Sequence, residues 1–108
     1  MAVIEDKNFD SEIKNGVAVV KFVSLWDSSS RVMEDPFREL SDEFRGKARF
    51  ISSDVQSNPV LANKQGIIKI PSVVIYVNGK PAARMGNVTK RFLKEQLESL
   101  LKKSLRLS

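Results

Sequence analysis

The sequence of 108 residues contains no cysteine and no histidine. The lack of cysteine excludes thiol redox chemistry and disulfide bonds, and the lack of both excludes Cys/His metal sites and nucleophilic pairs of the Ser-His or Cys-His kind. Without histidine the chain also lacks the side chain that most readily titrates near neutral pH. An enzyme of this composition would have to use Asp, Glu, Lys, Ser or Tyr.

Features that direct a chain to a membrane are also lacking. The first ten residues include Glu5, Asp6 and Asp10, whereas a signal peptide begins with basic residues and continues with an apolar run. No apolar run reaches the roughly 20 residues that a membrane-spanning helix needs. Because 108 residues with 42% hydrophobic content can form one packed core, we expect a soluble, cytoplasmic protein with a single domain over residues 1–108.

Positive charge is concentrated at the C-terminal end. Residues 79–108 contain eight Lys or Arg and two Glu, in a chain of net charge +5. Such a segment could dock on an acidic protein, a nucleic acid or an anionic membrane, or simply form the solvated face of a helix. Aromatic residues do not alternate with these charges as they do in proteins that bind single-stranded nucleic acid, which argues against a nucleic-acid partner.

Hydrophobic periodicity predicts strands and helices that alternate along the chain. The predicted strands are Val3-Ile4, 17–25, 48–55, 72–77 and 80–85. The predicted helices are 6–14, 32–44, 59–66 and 89–103, with Asp6 as the cap of the first. Asn78-Gly79 is a strong hairpin signal. This order predicts an α/β fold with a mixed sheet of four to five strands and helices on both faces.

Pro36 lies inside the second predicted helix, residues 32–44. It either kinks this helix or begins a second helical piece, with Asp35 as the cap and Pro36 in the first turn. The sequence alone leaves both alternatives open.

Several short motifs, in order and at matching spacing over nearly the whole chain, resemble those of the thioredoxin family. Trp26-Asp27-Ser28-Ser29-Ser30-Arg31 stands where the family has Trp-Cys-Gly-Pro-Cys-Lys. Residues 54–59 and 66–72 resemble its Asp-Val-Asp-x-Asn-Pro and Gly-Ile-x-x-Ile-Pro-Thr motifs, and Asn78-Gly79-Lys80 and Met85-Gly86 resemble its hairpin and its Val-Gly turn. The resemblance implies the thioredoxin fold, with its site in the loop after the central strand.

By this resemblance, Asp27 and Ser30 occupy the positions of the two active-site cysteines. Neither a carboxylate nor a hydroxyl attacks a disulfide as a thiolate does, so the reaction of the family is not expected here. The buried aspartate of the family and its lysine partner align with Lys21 and Ser52. We expect Lys21 to pair with Asp27 or Asp54 or to extend its ammonium to water, the alternative being a base or nucleophile of lowered pKa.

The resemblance also implies a cis bond before Pro71 and a groove that pairs with the main chain of an extended polypeptide. The residues expected to form this groove are Trp26, Ser28, Ser29, Ile70, Pro71, Met85 and Gly86, with Asn87 in the adjoining turn. The three serines of the loop would equally serve as helix-start residues. We therefore predict a redox-inactive protein, without cofactor or metal, that binds another polypeptide as an adaptor or chaperone-like subunit.

Two other hypotheses remain open at this point. One is a cysteine-free or engineered form of a thiol–disulfide oxidoreductase of cell redox homeostasis, in which Ser30, or else Ser28 or Ser29, replaces a thiol. Asp27 argues against it, because removal of a nucleophile does not require an aspartate. The other is an interaction module that docks on an acidic partner or a nucleic acid through the basic C-terminal helix, with a vestigial groove and with binding that weakens steeply with salt.

Overall fold

The computed structural model describes residues 2–3, 8–24 and 31–107, with side chains for 8–24 and 31–103. The strands are β1 (Ala2–Val3), β2 (Val17–Val23), β3 (Arg49–Asp54), β4 (Ser72–Val77) and β5 (Lys80–Met85). The helices are α1 (Phe9–Ile13), α2 (Glu34–Glu43), α3 (Pro59–Lys64) and α4 (Lys90–Leu107). None of these described helices is long and apolar enough to cross a membrane.

The five strands form one mixed sheet in the order β1-β3-β2-β4-β5. β1 and β2 both pair with β3 in parallel, while β4 runs antiparallel to both β2 and β5. All seven residues of β2 are buried, as expected for a central strand that is covered on both faces. The predicted fold class, a mixed α/β sheet of four to five strands, is confirmed.

Hydrophobic clusters cover both faces of the sheet. Residues alternate along β2 between the two faces, because successive side chains of a strand point to opposite sides. On one face α2 and α4 pack through Val17, Val19, Phe37, Phe44, Leu93 and Leu97. On the other face α1 and α3 pack through Phe9, Ile13, Phe22, Leu61 and Tyr76. The two layers of helices thus hold the sheet between them.

The predicted hairpin joins β4 to β5. Asn78 and Gly79 both have positive φ, at 50° and 86°, which is the conformation of the type I′ turn that Asn-Gly favours. The Asn78 side-chain oxygen accepts a hydrogen bond of 2.8 Å from the Gly16 N–H, and the Asn78 N–H donates one of 2.8 Å to the Gly16 carbonyl. These two bonds attach the turn to the segment that precedes β2.

The beginnings of two helices differ from the prediction. α1 begins at Phe9, with Asn8 in the cap position, and Asp6, the predicted cap, lies outside the described residues. α2 begins at Glu34 with Met33 at its cap, so Asp35 was the wrong cap.

Pro36 lies in the first turn of α2, where its missing N–H is not needed. Arg31 is helical, and residues 32 and 33 form a turn before α2. Both alternatives for Pro36 stay predictions, because Met33 before α2 keeps helical φ and ψ of −82° and −10°, which a kinked helix and a new first turn both allow.

Candidate functional site

The predicted site loop lies mostly outside the part of the chain that the structure describes. The predicted site residues concerned are Trp26, Asp27, Ser28, Ser29 and Ser30. The described residues next to this loop in the chain are Ser24, which is buried after the end of β2, and Arg31. The other predicted site residues are all described.

A cleft of about 350 Å³ lies where the residues before β4 meet the end of β5. Its lining comprises Gly66, Ile67, Ile68, Lys69, Ser72, Val74, Arg84, Met85 and Gly86. Two of these residues, Met85 and Gly86, are site residues that the sequence analysis predicted. The antiparallel pairing of β4 with β5 places Met85 opposite Val73, which brings the two segments together.

Ile70 and Pro71 lie between two residues of the cleft lining, Lys69 and Ser72. The Ile70–Pro71 peptide bond is cis, and Pro71 is buried while Ile70 is half-buried. The Ser72 hydroxyl donates a hydrogen bond of 2.5 Å to the Lys69 carbonyl. Among described groups, the Ile70 main chain has no hydrogen-bond partner.

Ile68 is the feature of this cleft that the sequence analysis missed. Its side chain is 92% exposed, the most exposed of the large hydrophobic side chains in the described part of the protein. A signal was present, because Ile67, Ile68 and Ile70 crowd a short segment outside any strand. Ile67 packs against the hydrophobic cluster on the α1 and α3 face of the sheet. Its neighbour Ile68 faces solvent.

Hydrogen bonds around Gln65 hold the rim of the cleft. The Arg84 guanidinium donates a bond of 2.6 Å to the Gln65 carbonyl, and the Tyr76 hydroxyl donates one of 2.7 Å to the Gln65 side-chain oxygen. Burial raises the pKa of Tyr76 to about 12, although the positive charge of Arg84 opposes this change. Tyr76 is therefore a neutral donor at physiological pH, and the turn at Gly66 is fixed to the sheet from two sides.

Lys21 is buried in the central strand, with only 3% of its surface exposed. It lies opposite Ser52 in the pairing of β2 with β3, and its Nζ is 4.9 Å from the centroid of the Phe37 ring. This distance permits a cation–π interaction. No described carboxylate forms an ion pair with Lys21.

Asp54 was the wrong partner for Lys21. Its carboxylate accepts hydrogen bonds from the Gln56 N–H at 3.2 Å and from the Ser57 hydroxyl at 2.9 Å, so it stabilises the turn after β3. Asp27, the other predicted partner, lies outside the described residues. Burial lowers the pKa of Lys21, and the negative charge of Glu34 at the start of α2 partly opposes this change. Glu34 is thus the acidic neighbour that the sequence analysis missed.

Much of the positive charge of α4 is engaged by acidic residues. Lys90 and Lys94 each approach a glutamate of α2, Glu39 and Glu43, with N···O distances of 2.6 Å. The hydrogen bond from Lys94 lowers the pKa of Glu43 and raises that of Lys94.

A third cation of α4, Arg91, pairs with Glu95 within the same helix at 3.2 Å. Among the described side chains of α4, Lys102 and Lys103 have no ion pair. Docking of this helix on an acidic partner stays a prediction, now limited to the last described turns.

The described residues offer no group of three or more carboxylates that could hold a metal ion. The sheet order, the helices on both of its faces and the cis proline before β4 are those of a thioredoxin-fold domain.

Comparison with known proteins agrees with this fold. The thioredoxin family model matches residues 1–103. A thioredoxin of Staphylococcus saprophyticus is 32% identical over 104 residues, which cover 94% of this chain and 100% of that protein. A thioredoxin of Staphylococcus epidermidis is 31% identical over 107 residues, with 97% of this chain and 100% of that protein covered. The chain belongs to the thioredoxin family.

The chain belongs to this family but lacks the thiols of its active site. The chain has no cysteine at any position, and thiol–disulfide exchange begins with attack of a thiolate on a disulfide sulfur. The protein therefore cannot itself supply the nucleophile for this reaction.

Proposed function

We propose that the protein is redox-inactive and binds an extended segment of another polypeptide at the cleft of residues 66–72 and 84–86. The observation that carries this proposal is the exposed Ile68 beside an apolar cleft. A single exposed hydrophobic residue is ordinary on a protein surface. Ile68, however, lies next to Ile67 and Met85 in one concave lining, and such continuous apolar surface is typical of interaction sites.

The main chain beside the cleft favours an extended partner. Ile70 has no hydrogen-bond partner among the described residues, so none of them competes with the backbone of another chain for its N–H and carbonyl groups. Pairing of this kind is β-augmentation, in which main-chain bonds provide affinity and side-chain pockets provide specificity. It requires no thiol, so the loss of cysteine leaves this mode of binding intact.

The charges of the cleft indicate the chemistry of the partner. Lys69 and Arg84 both line it, and no carboxylate of the described residues does. A segment with an acidic side chain next to an apolar one would satisfy these cations and cover Ile68 at the same time. We therefore expect the partner segment to combine the two.

The substitution Ile68→Asp is the direct test. Peptides selected against the wild-type protein from a random display library should bind the variant at least tenfold more weakly, because full burial of an isoleucine contributes about 1.5–3 kcal/mol. Fluorescence anisotropy with a labelled peptide measures the loss, and amide chemical shifts should change at residues 66–72 and 84–86 of the wild-type protein.

Val60→Asp is the matched control. Val60 is 54% exposed on α3, and it is not part of the cleft lining. This variant should bind the selected peptides with unchanged affinity, and both variants should keep the wild-type circular dichroism spectrum. Equal affinity of wild type and Ile68→Asp, or selected peptides that shift amides elsewhere, would contradict the proposal.

A further inference from the structure

A second site lies at the other end of the central strand, and we propose that it binds an amphipathic organic anion, a carboxylate on an apolar body. β2 enters the sheet at Val17 and leaves it at Val23, next to the predicted site loop. The second site adjoins Val17. Seven residues of strand, about 20 Å, therefore separate it from that loop. It shares no described lining residue with the cleft to which the proposed function is assigned.

This site is a cavity of about 510 Å³ between the start of β2, the end of α2 and the C-terminal part of α4. Its lining comprises Gly16, Val17, Phe44, Gly46, Lys47, Glu98, Leu101 and Lys102. Val17, Phe44 and Leu101 supply apolar surface, and the first two are also part of the buried core. The volume falls within the range of about 300–1,000 Å³ that is typical of small-molecule sites.

Two glycines leave the mouth of the cavity open. Gly16 and Gly46 have φ of +73° and +83°, and a Cβ placed on either would meet no atom within 4 Å. Positive φ of this kind favours glycine over residues with a side chain. The turns that end at these glycines thus leave empty space directly beside the apolar lining.

The charges at the rim define the ligand. Lys47 and Lys102 line the cavity and, unlike Lys90 and Lys94, form no ion pair with a described residue. One carboxylate, Glu98, also lies in the lining and reduces this positive charge. Among the described lining residues, two ammonium groups and one carboxylate leave a net charge of +1, which a single carboxylate of the ligand would neutralise while its apolar body covers Leu101.

Decanoate is the probe, titrated into the intact protein and followed by amide chemical shifts. Saturable shifts should appear at residues 16–17, 44–47 and 98–102. Lys102→Glu should weaken binding about fivefold and Glu98→Gln should tighten it about twofold, as expected for charges that are partly screened by solvent. Effects of opposite sign identify the rim charges, because a general loss of structure would weaken binding in both variants.

Two controls make the result specific. Lys64→Glu changes the net charge as Lys102→Glu does, at an exposed position of α3 outside this cavity, and should leave the affinity unchanged. Decanol has the same chain without the charge and should bind more weakly than decanoate. Equal effects of the two lysine variants, decanol binding as tight as decanoate, or decanoate binding that accompanies dimerisation in sedimentation velocity would overturn the proposal.

Discussion

The substitution Lys21→Met should raise the free energy of unfolding by about 1–2 kcal/mol at pH 7. Lys21 is 3% exposed and has no ion pair with a described carboxylate, so folding removes its ammonium from water without full compensation. Its contact with the Phe37 ring returns part of this cost. Methionine fills a similar volume, keeps a contact with the ring and has no charge to desolvate.

The pH dependence of this gain follows from the lowered pKa of Lys21. Burial lowers this pKa below its ordinary 10.5, with Glu34 opposing the change. At any pH below the folded pKa, both the folded and the unfolded chain hold the proton, and the cost of burying the charge is fully present. As the pH rises through the folded pKa towards 10.5, the folded state releases the proton first, and the wild-type protein gains stability relative to the variant. The advantage of Lys21→Met should therefore shrink as the pH approaches 10.5.

Urea denaturation at pH 7 and at pH 10 measures both effects. Lys64→Met is the control, because Lys64 is exposed on α3, and it should change stability by no more than about 0.5 kcal/mol at either pH. A clear loss of stability in Lys21→Met at pH 7 would contradict the argument. It would mean that Glu34, the aromatic ring or the predicted partner Asp27 compensates the buried charge completely.

The architecture could be predicted because its signals are local. The alternation of strand and helix periods gave the order of the elements, and Asn78-Gly79 gave the hairpin, since few other dipeptides accept positive φ at both positions. The start of α2 could not be fixed in the same way. Pro36 fits the first turn of a helix or a kink equally well, and Met33 took the cap position although its residue type is not a preferred cap.

The site could be predicted only in part, because the rest depends on contacts between distant segments. Met85 and Gly86 followed from a family motif. The acidic neighbour of Lys21 could not be predicted in this way. Asp54 is on β3, the strand that pairs with the strand of Lys21, whereas Glu34 is on a helix that packs across the face of the sheet. The glutamates that engage Lys90 and Lys94 are likewise on another helix. Their positions depend on how α2 packs against α4, and the hydrophobic periodicity of each helix does not predict this packing.

The substitution Phe37→Ala should lower the free energy of unfolding by about 3–5 kcal/mol. Phe37 is 0% exposed and anchors α2 to the sheet. Its ring meets Phe50 edge to face, with centroids 5.0 Å apart, and also contacts the ammonium of Lys21. Removing the ring leaves a cavity and deprives the buried charge of its aromatic neighbour. Urea denaturation at pH 7 gives the loss of stability.

Two further variants complete the test of Phe37. Phe92→Ala is the control at an exposed phenylalanine, and Phe37→Leu separates the volume of the ring from its aromatic contacts. Phe92→Ala removes a phenylalanine that is 46% exposed on α4 and should cost clearly less than Phe37→Ala, because nearly half of the Phe92 surface stays in water in the folded protein. Phe37→Leu refills most of the cavity and should recover more than half of the loss seen with alanine. If leucine proves as destabilising as alanine, the aromatic contacts of the ring with Phe50 and Lys21 contribute more to stability than its volume does.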